Sequence, residues 1–384
     1  MFINKAINFN THRFAVVGLG DTGLSIIDYL KFKQANIVKV LDTRDNPPNQ
    51  EKILNLPFIF GKLKPEFFDA VDVIVISPGI SIYEQVLQYA ITKGILVLGD
   101  IELFAQEIKH WSSKIIGVTG SNGKTTVTTL TGYLAKSIGI DTLVAGNIGI
   151  PVLRSFIDIE TNKKYPQLIV LELSSFQLES IYSLSLDSAT VLNISEDHLD
   201  RYRDLLEYAY VKANIFNNCK VQVLNSDDVL SLAMKRSELK LLEISGENSN
   251  ANFSMLRESN QLYIMVKHKK FLPCKMLNLV GTHNYINVLA SLALLEAVGV
   301  DIYNAKLISS LKAFSGLEHR MQKIAQSSNQ ITFIEDSKGT NVGSVVAGIS
   351  GLDAPVNLIL GGDGKGQDFM PLRNLVQNKC KSVA

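Results

Sequence analysis

Residues 114–138 read KIIGVTGSNGKTTVTTLTGYLAKSI. A short apolar run, Lys114–Val118, stops at a glycine-rich turn. Apolar residues then recur at helical spacing from about Lys124 to Ile138. Strand, turn and helix in that order belong to a parallel sheet with crossover helices. The turn Thr119-Gly120-Ser121-Asn122-Gly123-Lys124-Thr125-Thr126 also carries chemistry. Its glycines expose backbone N–H donors, Lys124 is placed to meet β- and γ-phosphates, and Thr125 offers a hydroxyl to Mg²⁺. The strict phosphate loop has glycine where Val118 stands, so the match is to a shorter GxxGKT form. A bare exposed Gly-Lys turn would leave the flanking strand and helix unexplained. ATP with Mg²⁺ is the ligand this stretch reads for.

The same alternation runs outward in both directions. Upstream, Phe14–Val17, Ile37–Leu41, Val71–Ile76 and Leu96–Leu98 read as buried strands. Leu24–Phe32 and Tyr83–Thr92 carry helical spacing between them. Downstream, Leu168–Leu171, Ala189–Asn193 and Val221–Leu224 are strands, and His283–Val298 is a long apolar helix closed by Gly299. Leu241–Lys270 is more polar and reads as a small antiparallel insert. A third block begins near Gly316, with strands at Ile331–Glu335 and Asn357–Leu360 and helices at Val342–Ile349 and Met370–Asn378. The sequence given stops as Ser382–Ala384 begins another strand. Two strands do not complete a doubly wound sheet, so this block is expected to be incomplete.

The chain has 384 residues, too many for one ordinary domain. The expected fold class is α/β with three domains: 1–105, 106–315 and 316–384. Hydrophobic residues make up 46% and charged residues 20%, which excludes intrinsic disorder. Thirty-eight Lys and Arg against 37 Asp and Glu give a net charge of +1, which argues against a general nucleic-acid or anionic-membrane binder. Three cysteines, Cys219, Cys274 and Cys380, form no CxxC pair and suit a reducing compartment. Neither a signal peptide nor a membrane-length apolar run is visible. A cytoplasmic protein, a monomer acting on small molecules, is the expectation.

Other residues stand where chemistry happens. Gly18-Leu19-Gly20-Asp21-Thr22-Gly23 follows a strand and opens a helix, and Asp42 ends the next strand. The pattern alone reads as a diphosphate turn of NAD type, and packing alone is the competing explanation. Glu172 ends an apolar strand, a usual place for an Mg²⁺-bound carboxylate, although a solvated strand-end acid fits equally well. His198, in Asn193-Ile194-Ser195-Glu196-Asp197-His198-Leu199-Asp200-Arg201, reads as metal ligand or structural histidine. Lys212, by helical spacing alone, is a solvated lysine. His283, Asn284 and Asn287 share one side of a helix start and suit either an adenine edge or capping. His319-Arg320, Asp336-Ser337-Lys338-Gly339-Thr340-Asn341 and Gly361-Gly362-Asp363-Gly364-Lys365 sit in anion-binding places after strands or before helices.

Taken together, these stretches resemble the Mur ligases, the ATP-dependent amide-forming enzymes of peptidoglycan assembly, and most closely their D-glutamate-adding branch. TGSNGKTT, LELSSFQLE, NISEDHLDRY, GTHNYIN, GLEHR, DSKGTN and GGDGKGQDF occur in the family's order, and the likeness runs from about Phe14 to Ala384. The resemblance implies Rossmann-like first and third domains and replaces NAD by a UDP-sugar. It implies that Gly18, Leu19 and Gly20 hold the diphosphate, and that Asp42, Thr43 and Arg44 hold the uracil. Ser77, Gly79, Asn147 and His198 would line the rest of that substrate. It further implies Mg²⁺ at Thr125, Glu172, His198 and a carbamylated Lys212. ATP would lie on Gly120 to Thr126, with Asn284 and Asn287 at adenine, Asp336 at ribose and Arg320 at phosphate. D-glutamate would meet Lys338, Thr340 and Lys365. Lys124, His198, Lys212 and Lys365 are the implied catalytic set. Gly339 replaces the family's usual alanine. Members continue for roughly sixty further residues, so weak ligation by the chain as given is the expectation. A dehydrogenase or a non-catalytic nucleotide-binding remnant is the competing reading; the first leaves Lys124 unexplained.

Overall fold

The computed structural model describes residues 7–352, 354–364 and 366–384. In chain order the elements begin with β1 (Arg13–Val17), α1 (Asp21–Phe32), β2 (Asn36–Asp42), β3 (Phe58–Phe60), β4 (Val73–Ile76), α2 (Gln85–Thr92), β5 (Leu96–Gly99) and α3 (Asp100–Glu107). There follow β6 (Lys114–Thr119), α4 (Lys124–Ser137), β7 (Thr142–Gly146), α5 (Val152–Asn162), β8 (Leu168–Glu172), α6 (Ser175–Leu178), β9 (Leu186–Val191), α7 (Leu205–Ala213), β10 (Cys219–Asn225) and α8 (Val229–Ala233). The chain goes on through β11 (Lys240–Ser245), β12 (Phe253–Glu258), β13 (Gln261–Val266), β14 (Lys269–Pro273), α9 (Thr282–Ala297) and α10 (Ala305–Ala313). The last elements are β15 (Gln322–Gln326), β16 (Thr332–Glu335), α11 (Val342–Ser350), β17 (Val356–Leu358), α12 (Met370–Lys379) and β18 (Cys380–Val383).

These elements form two compact units. One comprises Met1–Ile115, Leu143–Leu186 and Asn214–Asn218; the other comprises Ile116–Thr142, Asp187–Ala213 and Cys219–Ala384. In the first unit five parallel strands lie in the order β3-β2-β1-β4-β5. β1 is central because Phe14–Val17 are apolar on both faces, and each is fully buried. The strand order turns back between β1 and β4. A crevice opens outside the carboxyl ends of the strands at such a switch point. Helix α5 packs on α1 and α3 through an aromatic cluster, with Phe156 against Tyr29 at 5.7 Å and Trp111 at 5.9 Å between ring centroids. That packing carries the 146–151 loop into the first unit, where β7 and β8 lie side by side.

In the second unit the strands run β14-β13-β12-β11-β10-β9-β6. Leu241–Lys270 is not the separate antiparallel insert its polarity suggests. β11 pairs in parallel with β10 and β12, and only β12, β13 and β14 are antiparallel, so the segment extends the same sheet. Burial in its strands runs in blocks, at the start of β12 and the end of β13, with the remaining residues more open. Helices α4 and α9 pack together. Among the described residues of 316–384 there are two two-stranded pairs, β15-β16 antiparallel and β17-β18 parallel. The two strands expected in this block, Ile331–Glu335 and Asn357–Leu360, therefore fall in different pairs. Among the described residues no helix is long and apolar enough to cross a membrane.

Candidate active site

In the first unit the switch-point crevice is a cavity of about 570 Å³. Gly18, Gly20, Asp42, Thr43, Arg44, Ser77, Gly79 and Asn147 line it, as do Pro78, Ile148, Gly149, Pro151 and Gln177. The turn after β1 needs its last glycine: a Cβ on Gly23 would lie 1.9 Å from the Gly18 carbonyl oxygen. Asp42 closes the corner from the end of β2. Its Oδ2 accepts the Leu19 N–H at 2.7 Å, and the Arg44 guanidinium grips both oxygens at 2.8 and 2.7 Å. Burial alone would raise this carboxyl; the Arg44 guanidinium and two backbone N–H groups outweigh it and hold the pKa below the usual range. Asp42 thus fixes the glycine turn and presents Arg44, while Leu19 stands behind the cavity wall. Gln177 escaped the sequence reading. Its signal was Ser174-x-x-Gln177, a capping box at the start of α6.

Glu172 ends β8 in the same unit and is 2% exposed. Its Oε1 accepts Asn147 Nδ2 at 3.0 Å, and its backbone carbonyl accepts the Asn147 N–H at 2.8 Å. Its Oε2 is buried and has no hydrogen-bond partner among the described residues. An orphaned carboxylate oxygen is costly to bury unless something positive meets it, so this atom fits a divalent cation. Among the described residues no three His, Cys, Asp or Glu side chains gather into a metal cage.

In the second unit the phosphate loop joins β6 to α4. Gly123 caps the helix at φ +84°, and a Cβ there would meet Asn287 Oδ1 at 2.6 Å. Lys124 Nζ donates to the carbonyls of Gly120 and Ser121, both at 2.9 Å. Lys212 is no solvated helix lysine: it is 1% exposed. Its Nζ donates to the Gly120 carbonyl at 3.0 Å and lies 4.6 Å from the ring centre of Tyr208. Tyr208, also missed from sequence, accepts a hydrogen bond at its hydroxyl oxygen from Ser121 Oγ, 3.4 Å away. His198 adopts φ +56°. Burial lowers its pKa; Asp197 opposes the shift, and the charges of Lys212 and Lys124 add to it. Arg320 Nη2 donates to Thr125 Oγ1 at 3.0 Å. Asn284 Nδ2 bonds the Val280 carbonyl at 2.7 Å, and Asn287 Nδ2 bonds Asn284 Oδ1 at 3.1 Å. His283 faces the Ala347 carbonyl at 3.2 Å. Asp336 accepts the Met321 N–H at 3.0 Å, and the Lys338 N–H donates to the His319 carbonyl. Thr340 precedes α11, and Lys365 lies outside the described residues.

Phosphate loop, buried lysine and switch-point cavity can be set beside known proteins. The Mur ligase middle domain matches residues 118–295, and the Mur ligase MurD-like, N-terminal domain matches residues 12–99. UDP-N-acetylmuramoylalanine--D-glutamate ligase of Haemophilus influenzae is 45% identical over 371 residues, 96% of this chain and 82% of that protein. The chain belongs to the Mur ligase family. The enzyme of the same name from Nitrosomonas europaea is 44% identical over 390 residues, covering 98% of this Mur ligase and 82% of its own length. Solved structures share the fold. UDP-N-acetylmuramate-alanine ligase from Thermotoga maritima superposes with a TM-score of 0.59 at 18% identity, covering 97% of this chain and 84% of its own. A Mur ligase from Acinetobacter baumannii reaches 0.60 at 14% identity, with the same coverage. The α/β architecture of the Mur ligases is therefore the fold of this ligase, and it is consistent with their three-domain plan.

Proposed function

We propose that this Mur ligase joins D-glutamate to UDP-N-acetylmuramoyl-L-alanine with ATP as the energy source. The observation that carries the reading is the 45% identity, across 96% of the chain, to a ligase of that name. The cavity of the first unit supports a UDP-sugar over a dinucleotide. Asp42, the acid that would meet an NAD ribose, has both oxygens engaged by Leu19 and Arg44. Domain limits at 105/106 and 315/316, a monomeric state and a cytoplasmic location belong to the same proposal.

In the proposed reaction a carboxylate oxygen of the UDP-substrate attacks the γ-phosphorus of ATP. ADP leaves, and an acyl phosphate forms. The D-glutamate nitrogen then attacks the acyl carbon, loses a proton, and phosphate departs with the former carboxylate oxygen. Lys124 leaves its loop carbonyls for the β- and γ-phosphates, and the loop N–H groups orient them. In the second unit Thr125, His198 and a carbamylated Lys212 would hold Mg²⁺, which would supply charge neutralisation at the phosphates, and in the first unit Glu172 would offer a carboxylate to a divalent cation. Carbamylation exchanges the Lys212 cation for an anion beside the loop. Asn284, Asn287, Asp336 and Arg320 would serve the nucleotide, and Lys338, Thr340 and Lys365 the amino acid. The test supplies ATP, Mg²⁺ and the UDP-substrate with D-glutamate, L-glutamate or no amino acid. Phosphate release and a product heavier by one glutamyl residue are expected with D-glutamate alone. Equal use of the L-isomer, or binding of NAD in place of the UDP-substrate, would overturn the assignment.

A further inference from the structure

The phosphate loop and the start of α11 grip each other through two asparagines. Asn122 Nδ2 donates to Asn341 Oδ1 at 3.3 Å, and Asn341 Nδ2 donates back to Asn122 Oδ1 at 3.1 Å. Each partner is also fixed on its own side. Asn193 brackets the Asn122 backbone, its Oδ1 accepting the N–H at 2.9 Å and its Nδ2 donating to the carbonyl at 3.1 Å. Ser195 Oγ accepts a further bond from Asn122 Nδ2 at 3.3 Å. Asn341 is 7% exposed and caps α11, with its Oδ1 accepting the Ser344 N–H at 2.8 Å. The two segments approach closely beside this pair: a Cβ on Gly343 would lie 2.9 Å from Ser195 Oγ.

Helix capping uses only a side-chain oxygen. The Nδ2 group of Asn341 therefore does something capping does not require, and what it touches is the loop whose N–H groups orient phosphates. We propose that Asn341 is a positioning residue for the nucleotide. Through Asn122 it holds the phosphate loop in its binding shape and couples ATP binding to the seating of residues 316–384. By linkage, bound ATP must tighten the clasp as much as the clasp tightens ATP. This inference rests on the ATP-dependent reading above.

The discriminating variant is Asn341→Asp. Aspartate caps a helix as well as asparagine, but it cannot donate to Asn122 and sets a carboxylate against the Asn122 carbonyl oxygen. Calorimetry on the whole chain would give Kd for ATP and, separately, for the UDP-substrate. Loss of one buried hydrogen bond predicts ATP binding weaker by about tenfold. Affinity for the UDP-substrate should stay within about twofold, as should thermal stability within a few degrees. In the Asn122→Ala background the same substitution should have almost no further effect, because its partner is gone. An Asn341→Asp protein that binds ATP like the parent overturns the proposal. So does one that weakens both ligands alike, or keeps its full effect beside Asn122→Ala. A parent chain that binds no ATP overturns the underlying reading instead, and is recognised as such before any variant is compared.

Discussion

Asp100 begins α3 and is 4% exposed. Burial pushes its carboxyl up to about 6, against a weaker pull from the Ile101 and Asp100 N–H groups and the Gln177 side chain. Well below pH 4 the group is protonated folded and unfolded alike, and it costs nothing. As pH rises toward 6 the unfolded chain ionises first, so stability is lost through that window and stays lost above it. The rise from 3.8 to about 6 corresponds to about 3 kcal/mol. Asp100→Asn should therefore stabilise the protein more at pH 7.5 than at pH 4.5, by about 2 kcal/mol, in denaturant melts at the two pH values; a constant difference would contradict the argument. Single residues were legible as positions more than as roles. Asp42 was found from its place at a strand end, but only the fold shows that Leu19 and Arg44 occupy its oxygens. Lys212 read as solvated because helix spacing cannot tell a lysine beneath a phosphate loop from one in water. The buried, unpartnered Oε2 of Glu172 had no sequence signal beyond the strand it terminates.

At the scale of elements, α9 shows what a sequence carries well. Val288, Leu289, Ala290, Leu292, Ala293, Leu294 and Leu295 are each fully buried, so the helix is enclosed nearly all round. Its start presents Asn287 and Asn284 beside the phosphate loop. Leu292→Ala should cost about 2–5 kcal/mol of unfolding free energy, measured by denaturant titration, because it removes a packed side chain and leaves a cavity. A cost under about 1 kcal/mol would mean that the helix is not packed as described. Long periodic or fully apolar segments such as α4, α9 and β4 were legible for this same reason: burial imposes their pattern. Short or polar strands were not. β15, with the sequence QKIAQ, is exposed over most of its length, and β3 spans only Phe58–Phe60. Their partners in the sheet define them as strands, β16 for β15 and β2 for β3, and neither three residues nor an exposed polar run carries a periodic pattern of its own.

At the scale of the whole molecule, the linear order of motifs misleads about which residues share a unit. Leu143–Leu186 follows the phosphate loop in sequence yet belongs with the first hundred residues, because α5 carries an apolar face that α1 and α3 cover. The cavity therefore combines Gly18, Asp42 and Ser77 with Asn147 and Gln177, a set that no local pattern unites. The phosphate loop, Lys212 and Arg320 lie in the other unit. This division predicts separable binding. Lys124→Ala removes the loop's own ammonium and should weaken ATP by tenfold to a hundredfold, on the order of a lost charge-assisted hydrogen bond. The UDP-substrate should then bind within about twofold of the parent. Asp42→Ala frees the Leu19 N–H and releases Arg44 from its two-point grip, so it should show the opposite selectivity, with UDP-substrate binding weakened about tenfold or more and ATP unaffected. Calorimetry with each ligand alone decides the matter. Two substitutions that each weaken both ligands would show that the units bind as one site, and the assignment of the cavity to one substrate and the loop to the other would fall.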